Sequence, residues 1–407
     1  MRAPDGCPRV AGSGAVVVPF VRDSEPAWLR DHEPAAELVC FDPDSQRLCE
    51  FTGSDGDAPR VRVRIVPEVG LADPSDLHGS GLAQEAEIVA GEPGSPLWLR
   101  ICEPLGRSTR LMPLSGQRRM PWALGRTVTG YALADGVVLA LETESWRSAS
   151  QLVIAHPSGR VERRPLAETG TIRGGWLFGA IAEATVLRMF ARRVSAAGFG
   201  PRVDLGLVPA TSPGVYPCHF HLRTAGEASF LAIEISQGPE APQVATTFFR
   251  AGRWSPLALH TLDSLDTRVA CTRGVGRVLW KDDNMFSGTG SRDIVALTAW
   301  PEGTVRVERH PPLPASDYLD FAVLPLGDRV LALSLEESGL SARLAPLAEL
   351  GRAPDLALVE LPDGLWSFTA HARGEHAIVV LRESETRCEF AVRVAADGAV
   401  RPVTPFG

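Results

Sequence analysis

Short runs of five or six apolar residues recur along the whole chain, and stretches with an amphipathic helical period are nearly absent. The segments DGVVLALETES (135–145), GEASFLAIEIS (226–236), GVGRVLWKDDN (274–284), GDRVLALSLEES (327–338) and GEHAIVVLRESE (374–385) share one plan. Each has a glycine at its opening turn, then an apolar run, then a charged patch. Each follows another short run: VTGYALA (128–134), YPCHFHL (216–222), DTRVACT (266–272), DYLDFAVLPL (317–326) and LWSFTAHA (365–372). A glycine turn between two apolar runs predicts a β-hairpin. ATVLRMFARRV (184–194) is the best helix candidate, but its neighbours read as strands and it is assigned to a strand with them.

A second hairpin follows the first, as in HPSGRVERRPL (156–166), RAGRWSPLALH (250–260), PEGTVRVERHPPL (301–313) and ADGAVRPVTPF (396–406). Its glycines fall at Gly116, Gly159, Gly200, Gly252, Gly303, Gly351 and Gly398. Two hairpins make a four-stranded antiparallel unit that recurs roughly every 40–50 residues, the period of a propeller blade. Such a sheet has two apolar faces and cannot bury them alone, so neighbours stack around an axis. The sequence therefore predicts an all-β fold, a β-propeller of four-stranded antiparallel blades. Seven blades are preferred. Eight is the alternative, with AVVVPF (15–20), AELVCFD (36–42), QRLCEFT (46–52) and RVRVRIV (60–66) supplying the extra strands. Residues 1–12 read as a flexible tail and 13–407 as a single domain.

Charge narrows the function. With 41 Lys+Arg against 49 Asp+Glu the formal net charge is −8, which argues against nucleic-acid or anionic-membrane binding. No apolar run approaches the ~20 residues of a membrane span. The 7 cysteines are scattered without a CxxC pair, and no apolar signal core opens the chain. A reduced, cytoplasmic, bacterial-type protein is expected, and a monomer.

No GxSxG elbow, HExxH or dinucleotide fingerprint occurs, and the repeats lack the GH…WD pairs of WD40 units. Candidate chemistry rests on three places. On the first strand of each unit, one parity is apolar (Cys218, Phe220, Phe321, Val323, Phe368, Ala370) and the other more polar (Tyr131, His219, His221, Asp320, Thr369, His371). Period-two geometry puts each set on one face, and the polar set suits the axial channel. His219 and His221 point the same way and would need a third ligand, His371, Asp320 or Cys218, to hold zinc. HxH is common in strands, so no metal or cofactor is assigned. The second place is LWKDDNMFSGTGSRD (279–293), with the chain's only lysine, Lys281, and only asparagine, Asn284, beside Asp282 and Asp283. The third is ETESWRSAS (142–150), where Trp146 and Arg147 resemble a protein-contact pair. With no catalytic motif, the primary expectation is a protein-binding or scaffold module with a protein partner. The alternative is a hydrolase or lyase with a polar site at the channel mouth.

Overall fold

The computed structural model describes residues 7–20, 38–42, 47–52, 58–65, 85–89, 91–92, 95, 98–102, 109–113, 122–124, 127–143, 150–156, 158, 160–166, 168, 170–210, 215–237, 240–262, 267–281, 294–310, 321–336, 339–373 and 375–405. The paired hairpins of the sequence are present as antiparallel ladders. In sheet 3, Thr127–Ala132, Val138–Thr143, Ser150–Ala155 and Val161–Leu166 pair in chain order. Sheets 4 to 8 repeat this order over residues 170–209, 216–261, 267–310, 321–360 and 366–402. Sheet 2 covers 85–124, and sheet 1 is built from Leu38–Asp42, Arg47–Thr52 and Arg60–Ile65.

The described residues thus form eight sheets rather than the preferred seven. In sheet 1, the strands Leu38–Asp42, Arg47–Thr52 and Arg60–Ile65 fall in three of the segments that the eight-blade alternative named. Its fourth strand, Thr404–Pro405, comes from the other end of the chain and runs parallel to Arg60–Ile65. Arg9 and Val10, expected within a flexible tail, pair antiparallel with Glu360 and Val359 as a fifth strand of sheet 7. The segment 184–194 lies largely in the strand Val186–Ser195.

The first strands of successive sheets, from sheet 1 to sheet 8, lie side by side and form the inner wall. Apolar clusters fill the spaces between sheets. Val89 and Val138 pack between sheets 2 and 3, Leu139 and Phe190 between 3 and 4, and Phe178 and Leu231 between 4 and 5. Phe230 and Val278 pack between 5 and 6, Leu279 and Ala332 between 6 and 7, and Leu333 and Val379 between 7 and 8. Phe51 and Val61 meet Ile378 and Ala391 between sheets 8 and 1, which closes the ring. Each fully buried Phe contributes roughly 1.5–3 kcal/mol of transfer free energy. Both sheet faces are consumed, so the strands read as continuous apolar runs. The fold is an all-β propeller.

Two glycines show why the turns were legible. Gly226 (φ 60°) and Gly252 (φ 79°) sit at the tips of the two hairpins of sheet 5, in the left-handed region where a Cβ is strained. Two expected tips differ. The turn near Gly200 is made by Gly198, and Gly351 lies in a 3-10 helix, Leu347–Arg352, that replaces a tight turn in sheet 7.

Candidate functional site

The inner strand of sheet 5, Tyr216–Ala225, separates its side chains as the sequence predicts. Phe220 is 8% exposed and packs toward sheet 4, whereas His219 is exposed and His221 half-buried on the other face. The ladder slips between Pro217 and His219, leaving Cys218 as a bulged residue. A bulge re-aims the side chains next to it. Here His219 comes opposite Glu234 of the neighbouring strand Ala228–Gln237, so His219, His221, Arg223 and Glu234 share one face.

Glu234 is the centre of this group. It is 1% exposed and sits in the otherwise apolar run Phe230–Ile235. Its Oε1 lies 3.0 Å from His221 Nε2 and also accepts the hydroxyl of Thr267, the first residue of the inner strand of sheet 6. Its Oε2 is buried and has no hydrogen-bond partner among the described residues. The His221 side chain keeps 25% of its surface open to water. The rings of His219 and His221 are 6.1 Å apart. Cys218 Sγ donates to the Glu234 backbone oxygen at 3.4 Å. Burial first, and the Glu234 charge second, push the Cys218 thiol above its ordinary pKa. It stays protonated at neutral pH and is no thiolate nucleophile.

Further along the same wall, Arg223 donates from Nε to Val269 O at 3.1 Å and from Nη1 to Leu222 O at 3.0 Å, tying sheet 5 to sheet 6. Arg268 stands on the inner strand of sheet 6 and is exposed. His371, on the inner strand of sheet 8, is reached by water from the axis but walled in by protein elsewhere. That desolvation, with the Arg268 charge second, holds its pKa below the ordinary imidazole value. Thr369 is exposed beside it, while Phe368 and Ala370 pack into the apolar cluster, again as the parity predicts.

The remaining predicted residues do not join this group. Tyr131 is 7% exposed in the apolar space between sheets 3 and 4, because the inner strand of sheet 3 is buried throughout its described side chains. Burial and then the Glu92 charge raise its phenol pKa. Lys281 ends the strand Val275–Lys281. Asp282, Asp283, Asn284, Trp146, Arg147 and Asp320 lie outside the described residues. No three metal-ligating side chains converge among the described residues, so the described partners do not complete a zinc set around His219 and His221. Sequence reasoning missed Glu234, Thr267, Arg223 and Arg268. Two signals were available: a lone carboxylate inside the apolar run FLAIEI, and the extension of the HFH alternation to HFHLR.

No protein-family model and no curated protein matches the sequence. Solved structures do. A prolyl endopeptidase is similar with TM-score 0.47 and 14% identity over 80% of this chain; this chain spans 49% of the endopeptidase chain, about half its length. An ulvan lyase of a polysaccharide lyase family is similar with TM-score 0.42 and 11% identity, covering 77% of this chain and 93% of the lyase. The β-propeller domain of the Trilobed protease from Pyrococcus furiosus is similar with TM-score 0.36 and 10% identity, covering 78% of this chain and 97% of that domain. At these identities the likeness concerns the fold. The expectation of a protein-binding or scaffold module is corrected here: the similar structures reported above are of enzymes and give that role no support.

Proposed function

We propose that this chain is a hydrolase or lyase working by general acid–base catalysis at the axial wall of sheets 5 and 6. The observation that carries the reading is the Glu234 carboxylate, buried to 1% exposure, with one oxygen on the His221 imidazole and the other without a partner among the described residues. A buried carboxylate costs stability unless its oxygens are satisfied. Leucine or isoleucine would serve the packing at this position in an apolar strand. A carboxylate kept there has work to do on its neighbour.

The work follows from the geometry. Glu234 accepts from Nε2–H of His221, which fixes the ring orientation and the tautomer. Nδ1 is then the free, basic nitrogen. The carboxylate also stabilises the imidazolium that forms when Nδ1 takes a proton. His219, with its ring 6.1 Å away, is a second imidazole able to return a proton to a leaving group. Base and acid stand on the same water-accessible face of one strand. This suits proton abstraction with elimination, or activation of water for hydrolysis. The protonated Cys218 takes no nucleophilic part.

The test is turnover of glycan, ester and peptide panels by the wild-type chain and by His221→Ala and His219→Ala. His221→Ala is expected to lose roughly 10²–10⁴-fold in kcat, the usual worth of a positioned acid or base. Undiminished turnover in His221→Ala refutes the assignment.

A further inference from the structure

The inner strands carry a charge pattern opposite to that of the whole chain. Those of sheets 3 to 8 read TVTGYA, GTIR, YPCHFHLRTA, TRVACT, FAVLPL and WSFTAHAR. They include Arg173, Arg223, Arg268 and Arg373 with His219, His221 and His371, and no aspartate or glutamate. Carboxylates on inner strands are confined to sheets 1 and 2, at Asp42, Glu85 and Glu87. In a chain of net charge −8, the described inner strands of sheets 3 to 8 thus carry four arginines and no carboxylate, with Arg173, Arg223 and Arg268 on the successive sheets 4, 5 and 6.

Arg223 is the pivotal member. Its side chain is exposed, and among the described residues it donates to two backbone carbonyls, Val269 O and Leu222 O. No described carboxylate pairs with it. These two contacts engage Nε and Nη1 and leave Nη2 of the guanidinium fork for a ligand. Arg173, on the adjacent inner strand of sheet 4, is near enough for its charge to oppose that of Arg223. A second positive charge near Arg223 adds to the attraction that an anionic ligand would feel there. The arrangement lies on the same strand and face as His219 and His221, two residues from the latter.

We propose that this arginine wall binds an anionic group of the substrate, an oxyanion of the carboxylate, sulfate or phosphate kind, with Arg223 as its principal ligand. The inference rests on the acid–base reading of the same wall and adds the substrate class to it. An Arg fork binds planar or tetrahedral oxyanions by charge-assisted hydrogen bonds, about twice as strong as neutral ones. Anchoring the anion at Arg223 places the neighbouring bond of the substrate beside the two imidazoles.

Isothermal titration of the full chain tests it, with three probes of equal length: oligogalacturonate, a sulfated oligogalactan and the neutral oligogalactan. At least one anionic probe is expected to bind roughly tenfold or more tightly than the neutral one, with the preference shrinking as salt rises. The two anionic arms distinguish carboxylate from sulfate. Arg223→Gln is expected to abolish the preference, and Arg306→Gln, on an outer strand of sheet 6, to keep it. Arg268→Gln weakens the same wall without touching the two carbonyl contacts, and reads the effect if Arg223→Gln melts early. Equal binding of charged and neutral probes, no binding of either anionic probe, or a preference that survives both Arg223→Gln and Arg268→Gln overturns the inference. His221→Ala separates the two readings. It must keep the anion preference while losing turnover; full turnover with preference intact defeats the acid–base reading alone.

Discussion

The interface between sheets 3 and 4 and that between sheets 5 and 6 are built alike, yet they treat their polar groups in opposite ways. Between 3 and 4, Thr129 is buried and its hydroxyl accepts the Ile172 backbone N–H at 3.0 Å, a bond that pins one inner strand to the next. Tyr131 is sunk among Leu139, Ile172 and Phe190. Between 5 and 6, Thr267 is equally buried but spends its hydroxyl on the Glu234 carboxylate, whose second oxygen has no partner among the described residues. One interface uses polar atoms to complete the fold. The other sets a buried carboxylate between two sheets, beside imidazoles open to water. Burial alone therefore does not mark a functional group; burial with an unmet bond and an accessible neighbour does.

The largest effect belongs to the purely structural interface. Phe190→Ala, at 1% exposure between sheets 3 and 4, is expected to lower the unfolding free energy by ~3–5 kcal/mol in urea titrations. Turnover per folded molecule should not change. A loss of turnover beyond the unfolded fraction would blur the contrast between the two interfaces.

Next comes the double variant Glu234→Leu with Thr267→Val, which removes the carboxylate and the hydroxyl it receives. Replacing buried charge by apolar groups of similar volume is often neutral or stabilising by ~1–4 kcal/mol. The variant should unfold no earlier than wild type and lose turnover. Strong destabilisation would mean that Glu234 serves the fold after all. At the matching position, Thr129→Val leaves the Ile172 N–H buried and unpaired, and is expected to cost ~1–3 kcal/mol with turnover intact.

A pH scan gives a smaller effect. Burial lowers the pKa of His260, on the outer part of sheet 5, and desolvation with Arg268 lowers that of His371. In the unfolded chain both titrate near 6.5, so below that pH the unfolded state binds more protons than the folded one. Stability is whole above 6.5 and falls as pH drops through 6.5 toward the lowered folded values. Replacing His260 by Gln should flatten that acid slope in melts between pH 7 and 5. An unchanged slope would remove His260 as its source. Smallest is the reactivity of Cys218: iodoacetamide at mild alkaline pH should label it more slowly than a peptide thiol, and Glu234→Gln should speed labelling, since the Glu234 charge helps hold the thiol protonated.

Much of the architecture could be read along the chain because glycines at positive φ mark the hairpin tips, as at Gly226 and Gly252. Gly351 misled because a 3-10 turn needs no such tip. Three strands of sheet 1 were legible as the eighth-blade alternative; its fourth was not, because it comes from residues 404–405, a pairing no local pattern encodes. The His219/His221 face was legible from period two. Glu234 was not, because its partners are separated along the chain: His221 by 13 residues and Thr267 by 33. The primary expectation of a scaffold drew on the absence of local motifs, and a site assembled from two sheets leaves none.

One comparison of rates bears most directly on the whole account: turnover by His221→Ala against turnover by Thr129→Val, each corrected for its folded fraction. The account predicts a fall of roughly a hundredfold or more in the first and wild-type turnover in the second. Equal turnover in the two variants would contradict it.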